Sequence, residues 1–252
     1  MSWVMVTLPY RQACQSIALT AAMALPLQAQ AYTGCTTDAM LVFDGSASMS
    51  EISFDVADAT RIEDSRRAIA RIMPQVEDFR RIGLITYGPG GNDSCTGIAA
   101  HFAPRDRAAL AVTAEVQALV PAGLTPLSAA VEEAARILDY RRAPGVVVLV
   151  TDGNETCGGR PCTLGAALAR DGADLTVHVI GFKVVSDFFT WNNPEAKEVA
   201  QGETVARCLA DQTGGRFVDT DTVDELVEAL RSTLGCPVIG QESGRRAGDQ
   251  PS

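Results

Sequence analysis

The chain has 252 residues, 46% of them hydrophobic and 21% charged, enough for one sizeable folded domain with its own core. Its 31 acidic residues outnumber the 21 basic ones, giving a formal charge of −10. That balance argues against nucleic acid as a partner, because no basic footprint exists to neutralise phosphates, and it offers anionic lipid no attraction.

Residues 1–31 read as a signal peptide: Arg11 supplies a positive charge, Ile17–Leu27 is a short apolar run, and Ala29-Gln30-Ala31 is a small-residue cleavage site. The run is well short of the roughly 20 residues that a membrane span needs, so its removal leaves no integral membrane segment. The residues Tyr32-Thr33-Gly34 before Cys35 lack the leucine expected of a lipoprotein. All basic residues but Lys183 and Lys197 are arginine, a bias that suggests a GC-rich bacterial genome. A bacterial exported chain of this kind ends in the periplasm or outside the cell.

Beyond that segment, apolar runs alternate with helical spacing. Ala39–Phe43 predicts a fully buried strand, and Arg61–Phe79 an amphipathic helix. Arg81–Tyr87 predicts a second strand. The turn Pro89–Asp93 then leads to the short run Ile98–Phe102, too close for a crossover helix, so the two form a hairpin with an antiparallel edge strand. Arg105–Val120 and Pro126–Leu138 carry helical spacing, with Pro126 suited to a first turn. Val146–Val150 is a continuous β-branched run fit for a central parallel strand covered on both faces.

Thr163–Arg170 reads as a helix and Leu175–Phe182 as a strand, followed by a long irregular segment over 183–203. Its Phe188, Phe189 and Trp191 are either an interaction anchor or packing against the sheet edge. Thr204–Gln212 is helical, Arg216–Val218 a short strand, and Thr222–Leu234 a last helix capped by Thr222. A polar, Gly-rich tail over 240–252 completes the chain, leaving 32–239 as the domain. This alternation specifies an α/β fold: a doubly wound, mostly parallel six-stranded sheet with one antiparallel edge strand and helices on both faces.

Once the signal segment with Cys14 is removed, six cysteines remain: Cys35, Cys95, Cys157, Cys162, Cys208 and Cys236. An even number in an exported chain points to disulfides. Cys35 and Cys236 flank the domain and suit a bridge closing its ends. Cys157 and Cys162 pair either with each other or separately with Cys95 and Cys208. A zinc site is disfavoured, since the CxxxxC spacing has no second close pair and no histidine nearby.

In doubly wound sheets, ligands sit at the carboxyl ends of strands near the point where strand order reverses. The loop after the first strand is Asp44-Gly45-Ser46-Ala47-Ser48, and the loop after the fourth is Thr151-Asp152-Gly153. A third polar loop, Gly123-Leu124-Thr125-Pro126, opens the helix before that fourth strand. Two carboxylates and three hydroxyls therefore converge. They are hard oxygen donors suited to Mg²⁺ or Mn²⁺ rather than zinc or copper.

Asp44-x-Ser46-x-Ser48 with Thr125 and Asp152 downstream resembles the metal-ion-dependent adhesion site of von Willebrand factor type A domains, and the resemblance extends over residues 36–235. It implies a Rossmann-like domain of that family, with Ser46 and Ser48 binding the ion directly. Thr125 would bind directly or through water, and Asp44 and Asp152 mostly through water. One coordination position would stay open for the carboxylate of a protein partner. The alternatives are a metal-dependent hydrolase of phosphate or other esters, for which Glu155 is the available base, and a disulfide-stapled structural domain with a vestigial site. Glu155 otherwise reads as a solvated loop acid. No GxSxG, P-loop or HExxH motif is present. His178 reads as a satisfied core residue, and His101 as an edge-strand residue with no acidic or nucleophilic partner.

Overall fold

The computed structural model describes residues 36–52, 59–90, 95–184 and 206–235, all within the unit Thr33–Ser252. The segment read as a signal peptide, Cys35, Cys236, the aromatic residues at 188, 189 and 191, and the tail lie outside the described residues.

Among the described residues, six strands form one sheet: β1 Ala39–Asp44, β2 Ile82–Tyr87, β3 Ile98–Arg105, β4 Pro144–Thr151, β5 Asp174–Phe182 and β6 Phe217–Thr220, in the order β3-β2-β1-β4-β5-β6. All neighbours are parallel except β2 and β3. β1 and β4 lie side by side at the centre, where strand order reverses, and every residue of β1 is buried. A strand covered on both faces needs apolar side chains at every position, which explains the unbroken runs at 39–43 and 146–150.

Alternation along β1 divides the core in two. Leu41 and Phe43 join Ile69 and Ile72 of α1 (Arg61–Val76) and Leu230 of α6 (Val223–Leu234) on one face. Met40 and Val42 face Leu127 and Val131 of α3 (Leu127–Ile137), with Leu209 of α5 (Arg207–Thr213) on the same side. α2 (Ala109–Ala118) packs through Val112 and Val116 on the first face, and α4 (Pro161–Asp171) through Leu168 on the second.

Helix starts follow local chemistry. Thr60 and Thr222 each form a capping box, with Glu63 and Glu225 respectively, satisfying amide donors that the first turn leaves free. One expectation is corrected: residues 105–108 are not helical. β3 continues to Arg105, which pairs with Ile82, and α2 begins only at Ala109. Pro104 is accommodated because β3 is an edge strand, where a missing ladder donor costs little.

Among the described residues, no helix is long and apolar enough to cross a membrane. Two disulfides lie among the described residues, Cys95–Cys157 and Cys162–Cys208. Cys157 and Cys162 therefore pair with separate partners rather than with each other.

Candidate metal centre

β1 carries Asp44 to the carboxyl edge of the sheet, where it is fully buried. Its Oδ1 accepts the Ser46 N–H at 2.8 Å, while Oδ2 accepts the hydroxyls of Tyr87 at 2.8 Å and Thr151 at 2.7 Å. Three donors from three neighbouring segments fix that carboxylate. Burial, and then the Asp44 charge, push the Tyr87 phenol well above its ordinary pKa, so it stays a donor.

After Asp44 the chain bends into a short 3-10 turn over Ala47–Ser50. The turn sets the Ser46 and Ser48 Oγ atoms 3.1 Å apart, and Ser48 Oγ donates to Asp152 Oδ1 at 2.8 Å. Asp152 follows β4 and is 2% exposed. Burial and the facing Asp44 raise its pKa, against the lowering effects of Ser48 and Arg61.

Thr125, 6% exposed, lies on the adjoining loop. That loop is pinned by the Ala47 amide donating to Gly123 O at 3.2 Å and the Ala122 amide donating to Gly45 O at 3.0 Å. Four of the five predicted residues thus form one hydrogen-bonded cluster, and the fifth is held alongside through the backbone.

The donor set fits a small hard cation. Mg²⁺ at about 2.0–2.1 Å from each oxygen places neighbouring ligands about 3 Å apart, close to the Ser46–Ser48 and Ser48–Asp152 separations. Among the described residues, no three His, Cys, Asp or Glu side chains gather in a metal-binding group, so the donors here are hydroxyls around two carboxylates. The ion would also relieve two buried carboxylates that face each other.

Several participants are not evident from the motif. Arg61, the first residue of α1, is 4% exposed and donates through Nη1 to Asp152 Oδ2 at 3.0 Å and to the Ser48 carbonyl at 3.0 Å. A basic residue in the first helical turn opposes the helix dipole, and that mismatch was the available signal of an external carboxylate. Tyr87 and Thr151 are supporting donors to Asp44 that no spacing rule marks.

Glu155 corrects its reading as a solvated acid. It is 4% exposed, and its two oxygens accept the amides of Ser128 and Cys157, each at 2.8 Å, tying the β4 loop to the start of α3. His101 corrects its reading as well. It has both an acidic partner, Glu115 at 3.1 Å, and a hydroxyl partner, Thr86 at 2.9 Å. The Thr86 side chain sits in a residue only 2% exposed, out of reach of a substrate, so this trio links β2, β3 and α2. His178 is satisfied, its Nδ1 accepting the Arg216 amide at 3.0 Å, but it is half-buried rather than part of the core as expected.

Residues 39–155 match the family model for the von Willebrand factor type A domain. An uncharacterized Bacillus subtilis protein, YwmD, is 27% identical over 207 residues, covering 77% of this chain and 83% of its own. Among solved structures, the pilus adhesin SpaC from Lactobacillus rhamnosus GG superposes with a TM-score of 0.59 at 14% identity. The match covers 79% of this chain but only 30% of the adhesin. Proximal thread matrix protein 1 from the mussel byssus, solved with a zinc-occupied metal-ion-dependent adhesion site, superposes at 0.53 and 16% identity over 79% of this chain and 45% of that one. At these identities the structures speak to the fold alone. The family-model match over residues 39–155 and the sheet order agree in placing a von Willebrand factor type A fold over the first half of the described domain.

Proposed function

We propose that the domain is an exported binding module. In it, Ser46, Ser48 and Thr125, oriented by Asp44 and Asp152, hold Mg²⁺ or Mn²⁺ to dock an acidic group of a protein partner. The observation that carries this reading is the pairing of two buried carboxylates, Asp44 and Asp152, across two hydroxyls spaced for one ion. When bound, the ion supplies an electrophilic position that a carboxylate completes. The protein's own part is to keep the donors oriented, through Tyr87, Thr151 and Arg61, and to restrict water from the carboxylates.

Exposed apolar side chains adjoin the donors along the chain: Ile52, 61% exposed, beyond the serine turn, and Leu124, 37% exposed, beside Thr125. Both suit a contact rim around a central charged anchor. Export is supported by the cleavable-type N-terminal segment and by two formed disulfides. Likeness in fold to a pilus adhesin fits a surface or extracellular role. Binding is favoured over hydrolysis because both oxygens of Glu155, the base a hydrolase would have used, are committed to backbone amides.

Calorimetric titration of Mg²⁺ and Mn²⁺ into the oxidised protein and into Asp44→Ala tests the site. Saturable binding that disappears in the variant is expected. Neither heat nor thermal stabilisation at millimolar ion, with acetate present to complete a weak site, would refute it.

A further inference from the structure

We propose that Arg61 is a resident cation of the metal centre, giving the loaded site the net positive charge that selects a carboxylate ligand. The inference rests on the metal-binding reading above and adds a specificity-determining residue to it.

Arg61 does not behave as a surface arginine. Its side chain is 5% exposed, and one nitrogen, Nη1, faces Asp152 Oδ2, the Ser48 carbonyl and Glu51 Oε2 at 3.0, 3.0 and 3.1 Å. Its Nε is buried with no hydrogen-bond partner. A buried guanidinium is costly to desolvate and persists only beside compensating charge. Glu51, 64% exposed on its side chain, is screened by water, so the fully buried Asp152 is the dominant partner.

Counting charges gives the consequence. Asp44 and Asp152 alone would be neutralised by a divalent ion, leaving the ion's open position to attract an anion without the help of a net positive charge. With Arg61 in the same enclosure, the loaded site carries one net positive charge, which a single carboxylate balances. The same guanidinium competes with the ion for Asp152 and repels it, so Arg61 weakens metal binding while strengthening ligand binding. A residue with a purely structural role would move both in the same direction.

The test uses the oxidised chain, Arg61→Gln, Arg61→Met and Arg61→Lys. Mn²⁺ affinity is read by calorimetry, and acetate binding to the Mn²⁺-loaded protein by water-proton relaxation. Folding of each variant is checked by thermal melting. Loss of the charge in Arg61→Gln should tighten Mn²⁺ several-fold and weaken acetate about tenfold. Arg61→Met, which keeps the apolar stem, should do the same and serves if the glutamine variant does not fold. Arg61→Lys should hold acetate within about threefold of the wild type.

Unchanged acetate binding in both neutral variants, or a parallel loss of Mn²⁺ and acetate affinity, would overturn the proposal. A wild-type protein that binds no Mn²⁺ fails at the first titration, and that result overturns the metal-binding reading itself.

Discussion

Thr156 clasps Thr125 through two hydrogen bonds: its Oγ1 accepts the Thr125 amide at 2.8 Å, and its own amide donates to the Thr125 carbonyl at 3.1 Å. The next residue, Cys157, is bonded to Cys95 in the segment between β2 and β3. The loop after β4, which also carries Asp152, is therefore covalently anchored and in turn holds the candidate metal ligand Thr125.

Breaking that anchor should affect both stability and the metal. Replacing Cys95 and Cys157 together by serine opens a bridge spanning 62 residues, worth about 2–4 kcal/mol in the unfolded-chain account. Melting temperature should fall, and Mn²⁺ affinity should fall about tenfold as Thr125 loosens. Thr156→Val, which keeps shape and removes the hydroxyl, should weaken Mn²⁺ with little change in melting. If the cysteine pair lowers melting but Mn²⁺ affinity is unchanged, the clasp does not position the site.

Tyr87 offers a second check on how the carboxylates are held. Its hydroxyl is one of two donors to Asp44 Oδ2, and the residue is fully buried. Tyr87→Phe keeps the ring and deletes one hydrogen bond to a carboxylate, worth about 1.5–3 kcal/mol. We expect that loss in chemical denaturation of the metal-free protein, with Mn²⁺ affinity reduced several-fold. Wild-type stability in the variant would mean that Thr151 and the Ser46 amide suffice.

Sheet and site differ in how far sequence exposes them. The runs 39–43 and 146–150 announce central strands because burial on both faces forces every position to be apolar, a local signature. The serine turn and the two aspartates are equally visible, since strand ends near the reversal of strand order are where such residues act. What stays hidden depends on contacts between distant segments. Arg61 meets Asp152 across 91 positions, and Glu155 reaches the Ser128 amide across 27, so neither appears in a spacing pattern. Residues 105–108 read as helix because edge-strand side chains alternate only weakly between core and solvent, as in β3.

Close backbone approach makes a third prediction. Gly123 has φ 77°, and a Cβ there would collide with the Gly88 carbonyl oxygen. Gly123→Ala therefore adds left-handed strain, about 1–2 kcal/mol, to a steric clash within the loop leading to Thr125. A stability loss of about 2 kcal/mol or more is expected, together with weakened Mn²⁺ binding. Gly153, beside Asp152, is the control: a Cβ added there would meet nothing within 4 Å, and its φ is not positive. Gly153→Ala should therefore change stability by about 0.5 kcal/mol at most.

His178 is expected to make the fold acid-sensitive. Burial, and then the positive charge of Arg216, lower its pKa from 6.5 to about 4, and its Nδ1 accepts the Arg216 amide, which a proton there would break. Because the folded value lies below the unfolded one, the unfolded chain takes up the proton first as pH falls. The contribution of neutral His178 is thus fully present above about pH 6.5 and is lost progressively down to about pH 4. It amounts to roughly 3 kcal/mol by linkage. His178→Gln, which cannot titrate, should flatten the fall in unfolding free energy between those limits while costing some stability at neutral pH. An identical pH slope in wild type and variant would assign the acid sensitivity to other groups.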